Sequence, residues 1–88
     1  MTQDNKTDDV TAAIAEAILS VARQRGTEKS TCPSEIARML FPGDWRTQMN
    51  EVVQIAIGLH QQGKVVITQH GTPIDVNEIK GPIRIKIV

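Results

Sequence analysis

Aromatic side chains are almost absent: the 88 residues include one Phe, one Trp and no Tyr. A core must therefore be built from Ile, Val, Leu and Ala, with Phe41 and Trp45 as aromatic anchors. Cysteine is just as scarce. Cys32 stands alone, so no disulfide can close within the chain and a small disulfide scaffold is excluded. Net charge is missing too, because ten basic residues balance ten acidic ones. That removes the global field that draws a protein onto nucleic acid or an anionic membrane and leaves only local patches. No apolar run approaches the ~20 residues that cross a bilayer, and Met1 to Asp9 lacks the apolar stretch of a secretory signal. A cytoplasmic protein without membrane contact is expected.

A chain of 88 residues lies near the lower end of what one hydrophobic core can stabilise. One domain over residues 9–88 is expected, behind a polar, disordered lead over residues 1–8. Val10, Ile14, Ile18, Val21 and Ala22 form the stripe of an amphipathic first helix that stops at Gly26, just after Arg23 and Arg25. Thr27 to Cys32 is polar and tolerant of a short strand. Pro33 with Glu35 behind it then opens a second helix that runs to about Leu40. Phe41-Pro42-Gly43 breaks the chain, and Asp44 is placed to cap a third helix ending at Gly63. Its core face reads Trp45, Met49, Val52, Ala56 and Leu59, spaced by fours and threes, so Trp45 is expected to be largely buried.

After Gly63 the apolar period falls to two. Val65 and Ile67 share one face of a strand, and Ile83, Ile85 and Ile87 alternate with Arg84 and Lys86 in the last segment. His70-Gly71-Thr72-Pro73 marks a turn, followed either by a long loop or by a short middle strand that Pro73 keeps from being central. The expected fold class is α+β: a winged helix, with a three-helix helix-turn-helix core and a C-terminal β-hairpin wing.

Four stretches carry a family resemblance: Cys32-Pro33-Ser34-Glu35-Ile36-Ala37-Arg38; Trp45-Arg46 with Met49; Thr68-Gln69-His70-Gly71 with Pro73; and Lys80-Gly81-Pro82-Ile83-Arg84. Over residues 10 to 86 the chain resembles a small bacterial winged-helix family known as domain of unknown function 3253. The resemblance implies a winged helix and brings no activity or catalytic residues with it. The chain departs from that family in mid-helix, where members tend to carry arginine and this sequence has Val53-Gln54.

Chemistry-bearing residues are few. Cys32 precedes a helix, where a thiol can be activated. Nothing places His60 or His70 beside it, so its expected role is that of a small, semi-buried capping residue. No metal-ligand spacing exists, and no cofactor, effector pocket or small-molecule substrate is expected. Arg46, Thr47 and Asn50 on the outer side of the third helix are of types that pair with base edges. Asp44 and Glu51 nevertheless leave that helix formally at minus one. Lys64, Lys80, Arg84 and Lys86 make the closing segment locally basic against Asp75 and Glu78, as phosphate contacts would require. Charges on an edge strand also guard against aggregation. Val53 and Ile57 widen the apolar stripe of the third helix and offer a protein interface unless the first helix covers them. The function expected is therefore a non-enzymatic, winged-helix nucleic-acid-binding module of the accessory transcriptional regulator kind. Its partner would be double-stranded DNA, held weakly and with strong salt sensitivity. The alternative is a winged helix used for protein contact or homodimerisation without DNA.

Overall fold

The computed structural model describes residues 6–69, 72–73 and 82–88. Helix α1 (Lys6–Arg25) begins earlier than the apolar stripe required, taking in part of the expected disordered lead. Gly26 ends it in the left-handed conformation, φ +78°, a backbone state that glycine adopts without a Cβ penalty.

Helix α2 (Pro33–Leu40) starts on proline and buries Pro33, Ile36 and Ala37. The chain then turns over Phe41 to Asp44, with the Phe41 N–H donating to the Ala37 carbonyl and the Asp44 N–H to the Phe41 carbonyl. Helix α3 (Trp45–Gln61) follows, with Val52, Ala56 and Leu59 buried as the periodicity predicts. Its C-terminus is closed by a paired motif: Gly63 N–H donates to the His60 carbonyl and Lys64 N–H to the Leu59 carbonyl, with Gly63 at φ +78°.

Two details at the start of α3 differ from the sequence expectation. The Asp44 side chain makes no capping bond; instead its Oδ2 accepts from Gln48 Nε2 at 3.3 Å, one turn into the helix. Trp45 is only half-buried, packed against the rim of the core and not inside it. The first position of a helix lies at the edge of the helical layer, so a ring there reaches the core with one flank only. Trp45→Ala is accordingly expected to cost about 1–2 kcal/mol in urea denaturation, well under the ~3–5 kcal/mol of a fully buried aromatic.

Strands β1 (Val65–Gln69), β2 (Thr72–Pro73) and β3 (Arg84–Ile87) form an antiparallel sheet in the order β2-β1-β3. Pro73 sits on the two-residue edge strand, as its missing N–H dictates. Between β1 and β3 the register pairs Ile67 with Ile85 and Val66 with Lys86. The expected short strand between α1 and α2 shrinks to one bridge, in which Thr31 and Ile85 exchange N–H···O bonds of 2.8 and 2.7 Å. Three helices followed by this sheet make an α+β fold compatible with a winged helix. The core lies between them: Ile14 and Ile18 of α1, Ile36 of α2, Val52 and Ala56 of α3, Ile67 of β1 and Ile85 of β3 are all fully enclosed. Among the described residues no helix is long and apolar enough to cross a membrane.

A polar cluster ties the end of α1, the start of α2 and β3 together. Arg25 pairs with Glu35 and also donates to the Ser30 carbonyl at 3.1 Å, while the buried Thr31 hydroxyl donates to Glu35 Oε1 at 2.6 Å. The Thr31 and Arg25 hydrogen bonds hold the Glu35 carboxyl below its ordinary range, against the opposing effect of partial burial. A carboxylate depressed in the folded state stabilises above its unfolded pKa and loses that contribution as the pH falls. Glu35→Gln should therefore be less stable than the parent at pH 7. In thermal melts across pH, the gap should narrow as the pH falls through the carboxylate range.

Candidate nucleic-acid interface

With one side of α3 committed to the core, the other side is exposed by helical geometry. Arg46, Thr47 and Asn50 are all exposed, as are Glu51 and Gln54 further along the helix. Arg46 and Asn50 stand four residues apart, so they are neighbours on the helix surface. Beside them the structure adds a residue that periodicity did not single out. Arg38, in the last turn of α2, reaches across the Phe41–Asp44 turn and holds its Cζ 4.2 Å from the centroid of the Trp45 ring. The Arg46 Cζ lies 4.5 Å from the same centroid. One indole thus carries two guanidinium groups, and Arg38 restores to this end of α3 the positive charge that Asp44 and Glu51 had outweighed.

The remaining basic residues do not join this patch. Lys64 lies beyond the far end of α3, roughly 25 Å from Arg46 along the helix axis at ~1.5 Å per residue. Lys86 is half-buried and pairs in register with Val66, at the same end of the sheet as Lys64. The opposite end of the sheet is the one that approaches the first half of α3: Pro82 and Ile83 share a pocket with Met49 and Val53. Arg84 is exposed but already engaged. Its Nε donates to Ser30 Oγ at 2.8 Å and its Nη2 to the Ser30 carbonyl at 3.3 Å. The expectation that Lys64, Arg84 and Lys86 act together with α3 on one backbone therefore meets a geometric obstacle. Lys80 lies outside the described residues.

Val53 and Ile57 are both half-buried and packed against the core. Val53 is covered by the start of α2 and the residues leading into β3, with Cys32, Pro33, Ser34 and Met49 completing a pocket of about 160 Å³. Typical small-molecule sites run to ~300–1,000 Å³, so this volume suits a packing defect better than a ligand cavity. Cys32 occupies the capping position of α2 without a side-chain cap bond. Its Sγ lies 3.2 Å from Ser34 Oγ. His60 is used elsewhere, its Nδ1 accepting the Ile67 N–H at 3.2 Å and so tying α3 to β1; His70 lies outside the described residues. Among the described residues no group of three His, Cys, Asp or Glu is assembled for a metal ion.

No single amphipathic stripe encodes this contact, because Arg38 and Trp45 are seven positions apart on two different helices. The signal that could have revealed it is the coincidence of an arginine in the last turn of α2 with a tryptophan opening α3 across a four-residue turn. Over residues 11–88 the sequence matches the family described as "Protein of unknown function (DUF3253)". No curated protein matches.

Proposed function

The chain belongs to the DUF3253 family, and we propose that it is a DNA-binding module of the winged-helix type that reads the major groove with the first half of α3. The observation that supports this is the placement of Arg46, Thr47 and Asn50 together on the exposed side of a helix whose other side is anchored in the core. Recognition helices of helix-turn-helix proteins present their N-terminal residues to base edges. Arginine fits guanine O6 and N7, and asparagine fits adenine N6 and N7. A cytoplasmic, regulatory setting accords with this role.

The test is a chemical-shift titration of the whole chain with a short random-sequence duplex at low salt. Shifts concentrated at Arg46, Thr47 and Asn50, weakening steeply as salt is raised, are the expected result. Concentration-dependent shifts at Val53 and Ile57 with no response to the duplex would instead establish self-association and sink the proposal.

A further inference from the structure

Trp45 is the chain's single tryptophan, and it is spent on a half-exposed helix start with two arginines on its ring. We infer that Trp45 is a positioning residue that sets Arg38 and Arg46 for two different tasks on double-stranded DNA, Arg38 on a backbone phosphate and Arg46 on a base edge. This rests on the reading of α3 as the groove-facing helix.

The division of labour follows from where each arginine starts. Arg46 is the second residue of α3 and shares its exposed side with Asn50, the position from which base edges are reached. Arg38 belongs to α2, the helix that in this kind of motif crosses the backbone. One ring spans both helices and so fixes the separation of the two charges. A guanidinium stacked on an indole uses its flat face and keeps its in-plane N–H fork for hydrogen bonds. Among the described residues no hydrogen bond or ion pair takes up those forks. The nearest carboxylates in sequence are engaged with other residues: Glu35, three before Arg38, with Arg25 and Thr31, and Asp44, two before Arg46, with Gln48. Stacking also removes rotamer freedom before DNA arrives, so less is lost on binding. Removing the ring should therefore damage both tasks without altering the charge.

The experiment measures fluorescence anisotropy of labelled duplexes in which one G·C pair is walked through an A·T background, over a range of salt. Arg38→Gln should weaken every duplex similarly and reduce the magnitude of the log affinity against log salt slope by about one. Arg46→Gln should flatten the preference among duplexes, by roughly ten- to a hundredfold at the preferred register. Trp45→Leu should do both in part, and Trp45→Phe, which keeps a ring face, should recover most of the loss. A purely structural tryptophan would move the melting temperature but neither the slope nor the preference. Trp45→Leu behaving as the parent towards every duplex would overturn the inference while leaving the DNA reading intact. Failure of the parent to bind any duplex at low salt would overturn the reading itself, and binding of poly-glutamate alone would replace DNA with an acidic protein partner. Should Trp45→Leu not fold, the double-mutant cycle of Trp45→Phe with Arg38→Gln decides: coupled effects support the inference and additive ones overturn it.

Discussion

Ile85→Ala is expected to lose about 3–5 kcal/mol of stability. A domain of this size has roughly 4–13 kcal/mol in total at ~0.05–0.15 kcal/mol per residue, so the variant should be partly unfolded at 37 °C. The size of the effect comes from position. Ile85 is fully enclosed, lies opposite Ile67 in the sheet and forms the bridge to Thr31. Its side chain lies in the core cluster with Ile14, Ile18 and Ile67, so truncation leaves a cavity there. Urea denaturation gives the measurement. A loss below about 1 kcal/mol would mean that β3 contributes little to the core and would contradict the packing described above.

Asn50→Glu should leave stability within about 0.5 kcal/mol, because the residue is exposed on a helix surface. Duplex affinity at low salt should nevertheless fall by at least about tenfold, since a carboxylate facing phosphates adds like-charge repulsion at the contact. Lys64→Ala and Lys86→Ala are the controls, and both should bind DNA as the parent does. Their side chains belong to the end of the sheet remote from Arg46. Equal losses from Lys64→Ala and Asn50→Glu would place the DNA along the sheet and not on α3.

Local signals in the sequence carried the architecture well. Pro33 to Leu40 reads as a helix and is one, because proline at the first position and a glutamate in the first turn act within a few residues. Val52, Ala56 and Leu59 are buried because a helical period projects them to one side regardless of what covers them. Periodicity cannot say what does the covering. Val53 shares a pocket with the start of α2 and the entry to β3, while Ile57 packs partly against the core. Arg84 looked like a phosphate contact, but its guanidinium closes onto Ser30, 54 positions away in sequence. The spacing of Trp45 fits a core residue, and only the third dimension shows it offering a face to arginines. In each case a deciding partner lies on another element, where neither propensity nor period carries information.

The bridge between Thr31 and Ile85 has a kinetic consequence. The three helices are synthesised first, yet Ile83 and Ile85, which seal the core against α1, emerge from the ribosome only after them. Until β3 arrives, Ile14, Ile18 and Ile36 lack Ile83 and Ile85, which share their core, so packing of the nascent helices is expected to stay incomplete. Closing the bridge then requires a loop of more than fifty residues to be pinned at one point. Local helix formation should thus be fast, with final consolidation waiting on this long-range pairing.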